Sequence, residues 1–269
     1  MTATPTNLEL VSFDDPPVQE IAFAFQLPDA QLTVEEIVDI GRALRPSFPV
    51  QQLQPALPRM LGPTESPLFS FPVGPSLPRF WFVSTDGLRL VQVQEDRVAF
   101  NWRRLGREVV YPRYGTLRAE FEEHVERLTE TIPSLKDLHA DLCELTYVNE
   151  LVDEQTADRV PLDQVLRTVR PIEDAEFLPG TDQAEWQGRW TIRDEGGDVT
   201  GWLTAAAQPA SRQRDDRPIY LLTMTGILPG EVHSRQMVFD RFDLAHEWIV
   251  RGFADLTTKE MHDRWGRTR

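Results

Sequence analysis

A zinc-protease helix needs two histidines one turn apart with a glutamate beside the first, and His246-Glu247 begins that pattern. Position 250 is Val, so the second ligand is missing and the motif fails. His124, His139, His233 and His262 fall at no ligand spacing, and no metal is expected. Cys143 is the single cysteine. It could be a thiolate nucleophile, with His139 close in sequence, but a strand cysteine on an apolar face is more simply a buried, inert thiol. The run Asp194-Glu195-Gly196-Gly197-Asp198 lacks the alternating oxygen ligands and terminal glutamate of a calcium loop, and reads as a hairpin turn. Nucleophile-elbow, phosphate-loop and dinucleotide glycine patterns do not occur in the sequence. Neither a catalytic residue nor a cofactor is therefore expected.

What remains is a set of polar residues that strand alternation would gather on one surface. Glu20 lies in PVQEIAFAFQL (17–27), where Ile21, Phe23, Phe25 and Leu27 share the opposite face. Glu144 holds the equivalent place in DLCELTYVNEL (141–151). In RVAFNWRR (97–104), Asn101 and Arg103 alternate with Val98, Phe100 and Trp102. If the aromatic face packs on helices, Glu20, Asn101, Arg103 and Glu144 form a polar recognition patch on the open face of a sheet. The plainer reading is a set of cross-strand ion pairs on a solvated surface. Either way, alanine at Glu20, Glu144 or Arg103 should barely change stability, because exposed pairs contribute only about 0–1 kcal/mol. Tyr111-Pro112-Arg113-Tyr114 could hold an anion or a flat ligand, but more simply packs the start of the following helix onto the sheet.

The elements that must carry these residues follow from hydrophobic spacing. Pro17–Leu27 reads as a strand. Leu32–Leu44 has helical spacing, with Val34, Ile37, Val38 and Ile40 in a stripe and a Thr33/Glu36 capping box. Nine prolines in the 33 residues from Pro46 to Pro78 predict loops with at most short edge strands. Arg79–Ser84, Leu88–Gln94 and Arg97–Arg104 read as an antiparallel meander joined by turns at Thr85-Asp86-Gly87 and Glu95-Asp96. A helix follows over Tyr114–Ile132, then a strand over Asp141–Leu151 and a short helix over Pro161–Val169. Ala184–Arg193, Val199–Gln208 and Pro218–Leu228 are predicted strands, and a long helix runs from Phe242 to about Trp265. In the first of these strands Trp186, Gly188, Trp190 and Ile192 alternate with Gln187, Arg189, Thr191 and Arg193, as in a sheet covered on one face. Phe121, Val125, Phe253 and Leu256 define the inward stripes of the two long helices, and Phe253→Ala should cost about 3–5 kcal/mol.

The order of elements recurs. An offset of 124 sets Glu20, Ile21, Phe23 and Leu27 on Glu144, Leu145, Tyr147 and Leu151. An offset of 128 sets LTVEEIV (32–38) on VPLDQVL (160–166), and Tyr114, Phe121, Val125 and Leu128 on Phe242, Ile249, Phe253 and Leu256. The expected fold class is therefore α+β, with two tandem β-α-β(3–4)-α halves, residues 1–136 and 137–269, and helices on one face of an antiparallel sheet. That order resembles the TATA-box-binding-protein-like arrangement, in which tandem halves form a saddle. A fold analogy of this kind implies no function.

PPVQEIAFAFQL, FNWRR, YPRYGTL, ELTYVNEL and HEWIVRGFADLTTKEMHDRWG together resemble an uncharacterised, sporadically distributed family of bacterial proteins of about this length. The likeness spans nearly the whole chain and implies a full-length two-half unit of bacterial origin, with no catalytic residue to carry over. Only Lys136 and Lys259 are lysine among 28 basic residues, a bias of GC-rich bacterial genomes. Sporadic distribution would suit an accessory or defence-associated role.

Composition narrows the partners. The formal charge of −15 repels a phosphate backbone on average, so nucleic acid is disfavoured, although arginines on the open face leave a regulator of that kind as a third reading. No apolar run reaches the roughly 20 residues of a spanning helix, and Met1–Asn7 has neither the basic nor the apolar region of a signal peptide. A cytoplasmic protein is expected. The leading expectation is a non-catalytic binding or interaction protein that holds another protein or a second copy of itself. The alternative is an enzyme acting on a small polar molecule, with Glu20 or Glu144 as general base and Arg103 holding an anion; a desolvated carboxylate of raised pKa would favour it.

Overall fold

The computed structural model describes residues 9–28, 31–59, 77–106, 108–152, 159–170, 176–177, 183–194, 196–212 and 214–268. Period-two alternation yields β1 (Val18–Gln26), and the capping box starts α1 (Val34–Leu44) as its sequence predicts. Thr33 Oγ1 accepts from the Glu36 amide at 3.2 Å while the Thr33 amide donates to Glu36 Oε2 at 3.0 Å. The buried stripe of α1 is Ile37, Ile40, Gly41 and Leu44; Val34 and Val38 are exposed, contrary to the expected stripe. Gly41 sets this rotation, because the helix turns it toward the sheet where an added Cβ would lie 2.8 Å from Phe82 Cε1.

In the proline-rich stretch one edge strand forms, β2 (Val50–Gln54); the rest of that expectation, from residue 60 to 76, lies outside the described residues. The meander appears as β3 (Arg79–Val83), β4 (Arg89–Gln94) and β5 (Arg97–Arg103), with Gly87 at φ +73° in the first turn. Then come α2 (Tyr114–Thr131), β6 (Ala140–Leu151) and α3 (Leu162–Val165), followed by β7 (Trp186–Arg193), β8 (Val199–Ser211) and β9 (Pro218–Val232).

The single C-terminal helix expected from Phe242 to about Trp265 is two helices, α4 (Arg235–Leu256) and α5 (Lys259–Arg264). Backbone bonds cause the break. The Arg167 amide donates to Leu256 O at 2.8 Å and the Thr258 amide to Val165 O at 2.9 Å, so the α3 segment takes bonds that a continuous helix would use. Thr258 then caps α5 through its side chain. At the other end α4 starts before Phe242, where Ser234 Oγ accepts from the Met237 amide at 3.2 Å.

The nine strands among the described residues form one antiparallel sheet in the order β2-β3-β4-β5-β1-β6-β9-β8-β7, so the chain is α+β. It divides into two compact units. Unit 1 gathers Met1–Gln19, Thr146–Gly226 and His246–Arg269; unit 2 gathers Glu20–Leu145 and Ile227–Ala245.

The core of unit 2 is aromatic. Phe23 and Phe100, on paired β1 and β5, meet Phe121 of α2 at ring-centroid distances of 5.7 and 5.6 Å, and Phe239 and Phe242 of α4 complete the cluster. Tyr111 packs on Trp102, and Tyr114 stacks on Phe23 and donates to Asp243 Oδ1 at 2.6 Å. The tyrosines around Arg113 thus anchor the start of α2, and Arg113 takes the strained φ of +73° to allow it.

In unit 1, Phe13 meets Phe253 and Trp265 edge-on, and Phe253 and Leu256 are buried as the helical stripe predicts. Trp186, Gly188, Trp190 and Ile192 pair with Ala207, Ala205, Leu203 and Gly201. Gly252 of α4 rests on this layer, and an added Cβ would lie 2.7 Å from Leu203 Cδ2 and 3.3 Å from Met224 Cε. Gly252→Ala is therefore expected to cost about 1–3 kcal/mol by urea denaturation, although alanine is the better helix former. A stabilised variant would show that Leu203 and Met224 give way freely.

Candidate functional site

The strand registers of unit 2 put two chemically distinct faces on one sheet. Ile21, Phe23 and Phe25 of β1 lie opposite Trp102, Phe100 and Val98 of β5, on the side packed by α2 and α4. Glu20, Ala22, Ala24 and Gln26 lie opposite Arg103, Asn101, Ala99 and Arg97 on the other side. The registers of β4 and β3 add Gln92, Gln94, Trp81 and Arg79 to that second face.

A continuous hydrogen-bond relay crosses it through four strands. Arg79 Nη1 and Trp81 Nε1 both donate to Gln92 Oε1, at 2.8 and 3.0 Å. Gln92 Nε2 donates to Asn101 Oδ1 at 2.7 Å, and Asn101 Nδ2 donates to Glu20 Oε1 at 2.6 Å. The amides are therefore oriented by their neighbours, each using its acceptor toward one side and its donor toward the other. Two guanidinium groups flank the Trp81 ring, Arg79 at 5.4 Å and Arg103 at 5.9 Å from its centroid. Arg103 Nη2 also donates to Gly87 O at 2.9 Å.

One end of the face is strapped by residues 55–59. Gln94 accepts from the Leu57 amide at 2.8 Å and donates back to Leu57 O at 2.9 Å. Arg97 Nη2 donates to Pro58 O at 2.9 Å, and Arg59 pairs with Asp141. Gln26 joins the same cluster through Asp141 and Arg97.

The four residues expected from the sequence all lie in unit 2, and three of them are brought together. Glu20 sits across from Arg103 and is bonded to Asn101. Glu144 lies within electrostatic reach of Arg97 instead, six residues from Arg103 along β5. The face is not solvated at its centre, since Asn101 is 3% exposed and Arg97 is 7% exposed. Truncating Asn101 to alanine would strand Gln92 Nε2 and Glu20 Oε1, and is expected to cost about 1–3 kcal/mol in chemical denaturation, in place of the small change a surface pair implies. Retained stability would mean that water replaces the amide.

Burial raises the Glu20 carboxyl above its ordinary range, opposed by the Asn101 bond and the Arg103 charge, which lower it. A carboxyl raised on folding binds its proton more tightly in the folded state, so stability falls as pH rises from the ordinary glutamate range through the folded pKa. Glu20→Gln, which keeps an acceptor for Asn101, should raise the urea midpoint over the parent at pH 7 and lose that advantage near pH 4. A pH-independent difference would contradict desolvation of Glu20.

Gln92, Arg79, Trp81 and Arg97 were not singled out from the sequence. The signal was present, because the alternation applied to RVAFNWRR places Arg97 with Asn101, and the same rule in RFWFV and RLVQVQ selects Arg79, Trp81, Gln92 and Gln94. Elsewhere, Cys143 is buried and its thiol is pushed up to about 12, which leaves it protonated. Among the described residues no three His, Cys, Asp or Glu side chains form a metal-binding group. No helix among them is long and apolar enough to cross a membrane. No protein family, curated protein or solved structure matches this chain.

Proposed function

We propose that this protein is a non-catalytic binding protein and that the polar face of unit 2 is its recognition surface. The observation that carries the reading is the Arg79–Gln92–Asn101–Glu20 relay, which holds charged and amide groups in fixed orientation before any partner arrives. Preorganisation of this kind lowers the ordering cost of association. The partner in this reading is another protein or a second copy of the chain, in a bacterial cytoplasm, with an accessory or defence-associated role. The net charge of −15 disfavours nucleic acid.

The tandem-half organisation and its likeness to the TATA-box-binding-protein-like arrangement belong to the same proposal. Two facts support them: β1, α1, β2–β5, α2 is followed by β6, α3, β7–β9, α4, and the strand order runs outward from β1 on one side and from β6 on the other. The likeness to the sporadic bacterial family fits a two-half unit.

One observation favours the enzymatic alternative, the raised pKa of Glu20, whose Oε2 takes no hydrogen bond among the described residues. A general base of that kind needs a reacting group held within hydrogen-bond reach, and no nucleophile or second acid stands beside it in the relay. The deciding experiment is affinity purification of the tagged protein from its native host with mass spectrometry, using parent, Arg103→Gln and Arg42→Gln. A partner lost with Arg103→Gln and kept with Arg42→Gln supports the recognition face. A partner kept by both variants refutes it.

A further inference from the structure

Acidic side chains outnumber basic ones 43 to 28 in this chain, and several of its half-buried and buried arginines have a carboxylate in contact. Arg212 has Glu150 and Asp215, Arg118 has Asp243 and Glu122, and Arg89 has Glu120. Among the described residues Arg79 and Arg97, like Arg103, have none within 4 Å. Arg97 is 7% exposed, yet its guanidinium bonds are to neutral oxygens, Pro58 O at 2.9 Å and Gln26 Oε1 at 3.3 Å. Among the described residues Arg79 bonds Gln92 Oε1 alone. The Nε–H of each is buried with no acceptor.

The register brings them into one row. Gln94 of β4 lies opposite Arg97, and Arg79 of β3 falls beside Gln94, so the two arginines stand two strands apart, about 10 Å between backbones. Arginine side chains from both strands can reach a point between them. Their charges are close enough that Arg97 lowers the pKa of Arg79, second only to desolvation. Asp96 and Glu144 act on Arg97 only through space, and Gln94 is already committed to Leu57 and Asp96. In the neighbouring row Ala24 and Ala99 face each other, and the next residue of that row, Gln92, is engaged by Arg79, Trp81 and Asn101.

A buried guanidinium without a counter-ion is costly, and a like charge beside it adds to the cost. Deepening the recognition reading above, on which it rests, we propose that an oxyanion, a phosphate or carboxylate group of the ligand, seats between Arg79 and Arg97. Either group matches the guanidinium fork and would accept from the two idle Nε–H donors. Arg103, whose Nε–H is likewise buried without an acceptor, stands six residues from Arg97 along β5 in the Trp81 and Gly87 contacts, outside this seat.

The test is a titration of the full chain, labelled with 15N-arginine, observed at the Nε–H signals and assigned with Arg79→Gln and Arg97→Gln. Inorganic phosphate is added in one arm and succinate in the other, at constant ionic strength set with chloride. The expected result is a saturable shift of the Arg79 and Arg97 signals in at least one arm, with affinity at least tenfold weaker in each variant and unchanged in Arg42→Gln. The tighter arm names the oxyanion. Because Arg97 is buried, Arg97→Lys, which keeps the charge and removes the fork, is measured beside it and should also weaken binding. No saturable shift in either arm, or equal affinity in Arg79→Gln and the parent, overturns the proposal. If the anion fails while the native partner still depends on Arg103, the oxyanion seat alone falls; if the partner is indifferent to Arg103, the recognition face falls.

Discussion

Phe121→Ala is expected to remove about 3–5 kcal/mol of stability, the range for emptying a fully buried phenylalanine site. Phe121 is 1% exposed, and its ring has five aromatic neighbours within 6.1 Å: Phe23, Phe25, Phe100, Phe239 and Phe242. These come from β1, β5 and α4, so one truncation opens a void facing three elements that cannot all close on it. The parallel, displaced contact with Phe100, at an interplanar angle of 10°, adds to the loss beyond area alone. Phe121→Leu, which fills most of the volume, should recover a large part of it. Urea denaturation followed by tryptophan fluorescence measures both. A loss under about 1 kcal/mol for the alanine variant would mean that the cluster relaxes around the gap.

Arg212→Ala should be comparably severe for a different reason. The Arg212 side chain is 4% exposed; it donates to Glu150 at 3.0 Å and forks onto both oxygens of Asp215 at 2.8 and 2.5 Å. Its hydrogen bonds hold the exposed Asp215 carboxyl down to about 2. Removing the arginine leaves Glu150, 12% exposed, with only the distant Arg214 at 3.7 Å among the described residues. Breaking a buried pair from one side costs about 3–5 kcal/mol, mostly the desolvation of the stranded charge. The control is Arg212→Met combined with Glu150→Leu, which removes both charges and should be far less destabilising than Arg212→Ala. If the double variant is the worse of the two, the pair itself, and not a stranded charge, is the source of stability.

Strand positions were legible because alternation is a local property. The ranges of β1, β3, β4 and β5 fall within a residue or two of their expected limits, and the Thr33/Glu36 capping box is written in four residues. The break between α4 and α5 was not legible, since helical spacing continues across Thr257 and Thr258 and the bonds that interrupt it come from Val165 and Arg167. The outward turn of Val34 and Val38 likewise depends on Phe82 seating against Gly41. At the candidate site, Glu20, Asn101 and Arg103 could be read from parity. Their burial could not, because it arises from cross-strand partners and from residues 55–59 lying over one end of the face.

The strap at residues 55–59 contains Pro55 and Pro58, which have no N–H to offer a neighbouring strand. Leu57, between them, has both peptide groups satisfied by one glutamine side chain. A primary amide carries the same donor and acceptor as a peptide bond, so Gln94 acts as a one-residue surrogate strand for a segment that cannot pair by itself. Glutamate at that position could accept from the Leu57 amide but would set a negative oxygen against Leu57 O and Asp96. The seam that shelters Arg97 therefore depends on the chemistry of a single amide, and a change of one atom, nitrogen to oxygen, would unfasten it.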